Sequence, residues 1–545
     1  MTGTDPIADL AATVRSAAED LAGGAAAMAG AKLDRPPRPD FGDFSSNAPM
    51  LLAPTLGEPP RAVAERLGGL VSERLDGSLD RVEVAGPGFL NLFLSDAWFR
   101  TSLGSALAAG DGYGGGVVGT TERVLVEFVS ANPTGPITVA SGRHAAWGDT
   151  LCRILALAGH DVEREYYVND HGSQVLRFGE SIQARARGEE PPEGGYHGDY
   201  VAALAEQVPD AADGDPWEVA RAGVALMVEQ VRATLHRFRV DFDRFFHESA
   251  LHEEGKVEHA LELLEERGHV YRHEDAVWLR TTDFGDDKDR VLRRGTGEWT
   301  YFAADIAYHL DKRERGVDRA VNLWGADHHG YVKRMLAAWE ALGGAAGGLE
   351  LPIMQLVNLM ERGQRVQMSK REGEFVTLDD LIDDIGVDAA RWFLLQRSHD
   401  TTLDLDLARA REQSQENPVY YVQYAHARIA SILRKAGEDA VAAAGATDLS
   451  ERGGELHPSE RDLVKKLLEL PGEVGIAAER RAPHRITDYG LEAARQFSAF
   501  YRDCKVVGAA EDGEDEVFRV ALCVQTQRVL ARSLDLLGVS APEQM

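Results

Sequence analysis

The rhythm of hydrophobic and polar positions changes twice along this chain of 545 residues. In the first part, the Ala-rich stretch from Ile7 to Leu33 is compatible with helix. It leads on to VEVAGPGFLNLFLS, where apolar residues alternate on both sides of Gly86-Pro87-Gly88. A period of two interrupted by Gly and Pro predicts two short strands around a turn, so residues 1–115 read as a small α+β domain. The run DGYGGGVVG, residues 111–119, supports neither a helix nor a central strand and predicts a joint between domains.

Beyond the joint, VLVEFV (124–129) is a short β-branched run of the kind a buried parallel strand shows. A loop, ANPTGP, leads into a helical pattern from about Arg143 to Ala158. Strand, Gly/Pro loop and helix in this order form the phosphate-binding corner of a doubly wound sheet, because the loop delivers a helix N-terminus to the carboxyl end of a strand. VEREYYV, DRAVNLWG and LPIMQLVNLM continue the strand–helix alternation, which predicts a Rossmann-type α/β domain over 120–407. Within it, GEEPPEGGYHGDY (188–200) reads as a surface loop and Trp217 to Val240 as a long amphipathic helix, both parts of an insertion. From about Ala408 strands give way to the helical period of NPVYYVQYAHARIASILRKA and FRVALCVQTQRVLARSLDLLG, so 408–545 predicts an α-helical bundle. The acidic EDGEDE, 511–516, is expected to be a solvated connection.

Composition narrows the function classes. With 44% hydrophobic and 27% charged residues, the chain is of ordinary globular make-up, and no uncharged apolar run reaches the ~18 residues of a membrane span. The N-terminus lacks a charged region followed by an apolar stretch, so a cytoplasmic protein is expected. Three widely separated cysteines, Cys152, Cys504 and Cys523, support neither a disulfide framework nor a thiolate zinc site. The net charge of −30 argues against indiscriminate coating of nucleic acid, while leaving room for a shaped nucleic-acid partner held by local basic patches such as Arg290, Arg293, Arg294 or Arg480, Arg481, Arg485.

Four places could carry chemistry: the corner ANPTGPITVASGR, the ADHHG segment, the QMSKREG loop, and the pair Tyr301 and Asp305, which share a helical face. Asp327-His328-His329 offers a metal or a metal-phosphoesterase reading, but adjacent side chains diverge and no acidic ligand cluster supports it. In order along the chain, FGDFSSNAP, VAGPGFLNLFLS, VEFVSANPTGP, EYYVNDHGSQ, TDFGDDKDRVL, YFAADIAYHLDK, LWGADHHGYVKR, MSKREGEFVTLDDLI and NPVYYVQYAHARI resemble the arginyl-tRNA synthetases, a class I aminoacyl-tRNA synthetase family. The resemblance covers essentially the whole chain.

The resemblance implies an N-terminal domain that grips the tRNA elbow, a class I Rossmann catalytic domain, and a helical anticodon-binding domain. It implies ATP-dependent joining of arginine to its tRNA through an arginyl-adenylate, generally with tRNA present for the first step. The expected partners are arginine, arginine tRNA and ATP. Mg²⁺ is brought by ATP with no protein-bound metal, and a monomer is expected. Glu127, Asn132, Tyr301 and Asp305 stand at arginine-binding positions. A guanidinium, with five donors in one plane, wants carboxylate acceptors and a flat surface, and a charged Glu127 inside an apolar run needs a partner such as arginine. Pro136, Ala140, Gly325, Asp327, Met368 and Ser369 match ATP-contacting positions, and Lys370 matches the lysine that meets the leaving pyrophosphate, with Gln367 in place of the loop's first lysine.

The corner departs from the family. After TGP and one aliphatic residue, family members read histidine, aliphatic, glycine, histidine, whereas this chain has Thr138-Val139-Ala140-Ser141. Thr138 and Ser141 can still donate to phosphate, with Arg143 as a further donor, but a hydroxyl is short and carries no positive charge. Two functions therefore follow from the sequence: an arginine–tRNA ligase with a variant corner, and a synthetase-like paralogue with impaired or redirected activation.

Overall fold

The structure is a computed structural model and describes residues 5–24, 30–366, 369–371 and 374–545. Its centre is a five-stranded, all-parallel sheet in the order Leu349–Glu350, Arg319–Asn322, Arg123–Glu127, Asp161–Val168, Arg244–His247. The chain starts at Arg123–Glu127, winds outward to one edge, and returns to the other side of the first strand at Arg319–Asn322. The strand order thus reverses between these two neighbours, whose last residues, Glu127 and Asn322, are register partners. A crevice at such a reversal, outside the carboxyl ends of the strands, is where doubly wound sheets take their ligands.

The corner helix, Val139–Ala158, begins four residues earlier than the pattern predicts, because Thr138 caps it: its hydroxyl accepts from the Ser141 amide at 3.3 Å. The helix lies close on the strand it follows. A Cβ at Gly148 would collide with the Phe128 ring, so only glycine permits that approach.

Around this centre, residues 30–94 form a four-stranded antiparallel sheet that includes the hairpin Leu79–Ala85 and Phe89–Leu94. The N-terminal helix is shorter than the Ala-rich stretch and spans Pro6–Leu21. The insertion contains the long helix Pro216–Arg237 and a three-stranded antiparallel sheet of Val270–His273, Ala276–Leu279 and Arg290–Arg293. LPIMQLVNLM is not one strand. Ile353–Met354 extends the parallel arrangement beside Trp324–Gly325, and Val357–Glu361 pairs instead with Leu403–Asp406. Among the described residues no strand follows Asp406; six longer helices, from Pro418–Ala436 to Glu516–Leu536, make the bundle.

One apolar core runs continuously from Leu10 through Val126, Phe128 and Trp147 to Leu534, so the N-terminal part, one face of the sheet and the bundle share an interior. The other face carries a second core beneath the insertion. The N-terminal part docks on the bundle, where Asp43 accepts from Lys465 at 3.0 Å and Arg461 at 3.2 Å and the Tyr113 hydroxyl donates to the Leu467 carbonyl at 2.9 Å. All three cysteines are buried and unpaired.

Candidate active site

At the carboxyl end of the first strand the backbone breaks sharply. Val129 and Ser130 both adopt left-handed φ, 68° and 41°, which a β-branched residue such as Val129 rarely takes up and which stores of the order of 1–3 kcal/mol. The bend returns the Ser130 hydroxyl to Glu127 Oε1 at 2.9 Å. Glu127 Oε2 accepts from Lys312 Nζ and from Asn322 Nδ2, each at 2.7 Å, and Lys312 also donates to Asn322 Oδ1 at 3.0 Å. Burial pushes Glu127 upward, but Lys312 together with His309 and Ser130 more than offsets this and the carboxyl lies below its ordinary value. The partner that Glu127 requires is therefore supplied first by the chain itself. The expectation of a partner such as arginine thus meets a resident cation at Oε2, while Oε1 accepts only from Ser130 among the described residues.

Across the crevice stand two carboxylates without such a partner. Asp305 lies one turn into the helix Tyr301–Glu314 and accepts from the Tyr331 hydroxyl at 2.7 Å. Burial raises its pKa to about 6, with the Glu127 charge adding to the rise. Glu248, buried at the start of the short helix after the edge strand Arg244–His247, is raised to about 7 by burial and by its neighbours Asp305 and Asp170. Among the described residues neither carboxylate has an ion-pair partner. Tyr167, whose hydroxyl donates to Glu248, packs its ring on Tyr308 at 4.6 Å and on Phe246 at 6.0 Å, so flat aromatic surface adjoins the two acids. Glu248 and Lys312 were not singled out by the sequence. Glu248 carried one usable signal, a carboxylate directly after the aromatic strand RFFH. Tyr301 is 66% exposed, at the N-terminus of its helix, with its hydroxyl near the Gly172 turn; the shared helical face places Asp305 in the pocket and Tyr301 at its rim.

Asn132 is exposed and donates to Gln174 Oε1 at 3.2 Å. Next to it, a cleft of about 710 Å³ is lined on one side by Asn132, Pro136, Thr138 and Ser141 and on the other by residues 195–200. Ala140 is exposed at the first turn of the corner helix. Thr138 Oγ1 lies 3.3 Å from Ser141 Oγ. Arg143 does not serve as a phosphate donor. It is fully buried on the far side of the helix, donating to the carbonyls of Gln355, Ser398 and Thr401 at 2.8–2.9 Å.

Gly325 ends the short strand Trp324–Gly325, and a Cβ there would come within 2.6 Å of Asp327 Oδ1, so glycine lets that carboxylate fold back over the strand end. Asp327 is exposed and pairs with His328 at 3.3 Å. Among the described residues no group of three or more His, Cys, Asp or Glu side chains is arranged to hold a metal ion. Met368 lies outside the described residues. Ser369 and Lys370 are described as backbone of a short strand, Ser369–Arg371, paired with Glu374–Phe375. The basic clusters are largely spoken for internally: Arg290 pairs with Asp286, Arg481 with Glu350 and Arg485 with Glu473.

Comparison with known proteins bears on this arrangement. Residues 8–94 match the arginyl tRNA synthetase N terminal domain, residues 204–431 the catalytic domain of tRNA synthetases class I (R), and residues 422–545 the DALR anticodon binding domain. The arginine–tRNA ligase of Bacillus subtilis is 44% identical over 527 residues, 94% of each chain. Among solved structures, the arginyl-tRNA synthetase of Thermus thermophilus superposes with a TM-score of 0.76 at 25% identity, covering 98% of this chain and 99% of that one. A putative arginyl-tRNA synthetase from Campylobacter jejuni gives 0.76 at 33% identity, covering 83% of this chain and 100% of that one. With identity at this level along nearly the whole length, the same three-part architecture, and an acid-lined crevice at the strand reversal, this chain belongs to the arginyl-tRNA synthetase family of class I aminoacyl-tRNA synthetases.

Proposed function

We propose that this chain is an arginine–tRNA ligase. The observation that carries the reading is the pair of carboxylates, Asp305 and Glu248, held in a desolvated, aromatic-walled crevice without a cation of their own. Leaving two such groups unpaired is unfavourable, and a planar cation with several donors is the ligand that removes the penalty. In this reading the guanidinium lies between Asp305, Glu248 and Tyr301, Glu127 Oε1 accepts one further hydrogen bond, and Asn132 meets the amino-acid end. ATP, carrying its Mg²⁺ as part of the substrate, lies over the corner, with Pro136 and Ala140 beneath the nucleotide, Gly325 and Asp327 at the ribose, and Met368, Ser369 and Lys370 toward the phosphates.

The arginine carboxylate then attacks the α-phosphorus, an oxygen–phosphorus bond forms, the α–β bridge breaks, and pyrophosphate leaves with its electrons. In the second step a hydroxyl of the terminal tRNA ribose attacks the arginyl carbonyl and AMP leaves. Thr138 and Ser141 hydroxyls donate to phosphate, and Thr138 also caps the helix whose N-terminal dipole end lies at the corner.

Two surfaces support the tRNA part of the proposal. A cleft of about 530 Å³ on the N-terminal part, lined by Phe41, Phe89 and Asn91, offers aromatic faces and an amide to unstacked bases of the elbow. On the bundle, Tyr420 stacks with Tyr424 at 6.2 Å, and Arg428 lies over both Tyr424 and Tyr501, an aromatic and cationic platform suited to an anticodon loop. A monomer acting in the cytoplasm, the setting in which the product is used, completes the reading. The deciding experiment is arginine-dependent ATP–pyrophosphate exchange with and without arginine tRNA. Exchange that requires arginine and is promoted by the tRNA is expected; tRNA binding with no exchange under any condition would return the paralogue reading to first place.

A further inference from the structure

The wall of the corner cleft that faces Thr138 and Ser141 is built rather than incidental. The Tyr200 hydroxyl donates to the Thr134 carbonyl at 2.8 Å, which ties the 195–200 segment to the corner loop. The Tyr196 amide donates to Ser181 Oγ at 3.0 Å, and the Tyr196 ring packs edge-on against Phe178 at 5.3 Å, which ties it to the helix Ser173–Ala186. Gly198 has φ +115° and sits so close to the Tyr200 ring that a Cβ would come within 3.2 Å, so the sharp turn between these ties depends on glycine. The segment therefore forms a fixed wall of the substrate cleft, whereas its Gly/Pro-rich sequence reads as a surface loop.

Besides the loop that carries Lys370, a triphosphate in this cleft finds few counter-charges among the described side chains. Among the described side chains that line it none is Lys or Arg, and two, Asp199 and Asp380, are acids. Asp380 is turned to its own helix, accepting from the Thr377 amide at 2.9 Å and hydroxyl at 2.8 Å. The lining has one imidazole, His197, which is exposed at the cleft and makes no hydrogen bond or ion pair to a described residue. Opposite it stand the Asn132 amide and the short Thr138 and Ser141 hydroxyls.

We infer that His197, on the wall formed by residues 195–200, donates to the phosphates of ATP across the cleft from Thr138 and Ser141 and stabilises the charge that develops on the leaving pyrophosphate. An imidazole N–H reaching in from a rigid wall supplies the long donor that two short hydroxyls at the helix start do not. The inference rests on the ligase reading and adds to it a residue from the insertion.

The test uses the full chain and arginine-dependent ATP–pyrophosphate exchange in the presence of arginine tRNA. His197→Ala is expected to lower kcat by about 10²-fold, as loss of a transition-state donor does, with the KM values for ATP and arginine changing by less than about fivefold. Because His197 is exposed, the variant should unfold at the same temperature as the wild type. Placing histidines at the corner in that background, Thr138→His with Ser141→His, is expected to recover at least tenfold of the lost rate. The same corner histidines in the wild-type chain are the control: a lost donor makes their effect at least tenfold larger in His197→Ala than in wild type, whereas an equal factor in both backgrounds marks a merely structural wall residue and overturns the inference. Unchanged exchange in His197→Ala, or a loss that the corner histidines do not recover, overturns the inference while leaving the ligase reading intact. A wild-type chain that supports no exchange at all overturns both.

Discussion

Asp305 and Glu248 have raised pKa values because burial desolvates them and, among the described residues, neither has an ion-pair partner. Their raised values, about 6 and about 7, mean that the folded chain binds protons more tightly than the unfolded one. This contribution to stability is fully present below the ordinary carboxylate range and is lost as pH rises through 6 to 7, so at neutral pH the empty pocket is a liability. Arginine reverses the balance by displacing the protons. Its affinity should therefore climb between about pH 5.5 and 7.5, by up to about one decade per pH unit for each carboxyl still protonated. Titration calorimetry across that window, with proton release read from buffers of different ionisation enthalpy, checks this; a flat affinity would remove the two acids from the site. Asp305→Asn, which deletes one charged acceptor, should weaken arginine binding by about 1.5–3 kcal/mol at pH 7.5 while making the unliganded protein no less stable.

Lys312 poses the converse case. It is buried against Glu127 with a single 2.7 Å ion pair, and Lys312→Met would leave a carboxylate in a desolvated place with only Ser130 and Asn322 to satisfy it. Urea unfolding should show a loss of about 3–5 kcal/mol, and Glu127→Gln in the same chain should restore most of it, because a broken buried pair is far worse than an absent one. Neither Lys312 nor Glu248 was legible in the sequence. Lys312 sits 185 positions from Glu127, and nothing in YFAADIAYHLDK distinguishes a helix-end lysine that turns inward from one that is solvated. Glu127, by contrast, announced itself as a charge within an apolar strand. The sequence called for a partner, with arginine as one, and did not show that Lys312 and Asn322 of the same chain hold one of its oxygens.

At the scale of elements, strands buried on both faces and strongly periodic helices were readable because burial imposes their pattern. The small antiparallel sheet at Val270–His273, Ala276–Leu279 and Arg290–Arg293 was not: its strands are four residues long, one carries a bulge, and Arg272, His273 and Arg293 are exposed to water. Segment 188–200 is the exposed loop that its Gly and Pro signal, but they do not say what the loop leans on, here Thr134, Ser181 and Phe178. The corner helix connects this scale to catalysis. Thr138 is its cap and, in the ligase reading, also a donor to phosphate, so changing Thr138→His, Ala140→Gly and Ser141→His together has two opposed effects. Loss of the cap should lower stability by about 0.5–2 kcal/mol, and the added donors should raise the exchange rate by one or more orders of magnitude. Thermal unfolding and exchange measured on the same preparation separate the two; a reverted corner with unchanged rate would show that the hydroxyls already suffice.

At the scale of the whole molecule, a chain carrying −30 must hold a polyanion, and the fold indicates how. The aromatic cleft at Phe41 and the Tyr424, Arg428 and Tyr501 platform lie on parts that share one apolar core, with Asp43 bridging to Arg461 and Lys465. Deleting residues 1–115, or those after 408, would strip that core, so truncation is not the clean separation of tRNA-binding parts that three sequence segments suggest. A point change at the bridge is cleaner. Asp43 also accepts from the Leu94 amide at 2.8 Å, and Asp43→Asn keeps a side-chain oxygen for that bond while removing the charge that holds the two cations. If elbow and anticodon contacts act as one rigid gauge, Asp43→Asn should weaken arginine-tRNA binding about tenfold and leave arginine affinity unaltered. The loss arises because a loosened N-terminal part must be ordered again each time the tRNA binds. Wild-type affinity should fall linearly in logarithmic plots against salt, with a slope of roughly 0.7–0.9 for each phosphate neutralised, and a loosened N-terminal part should make that slope shallower. Filter binding of arginine tRNA between low and physiological salt reads both quantities. A salt-independent affinity would exclude phosphate contact as the basis of binding, and an unchanged slope with unchanged affinity in Asp43→Asn would show that the two ends of the chain grip the tRNA independently.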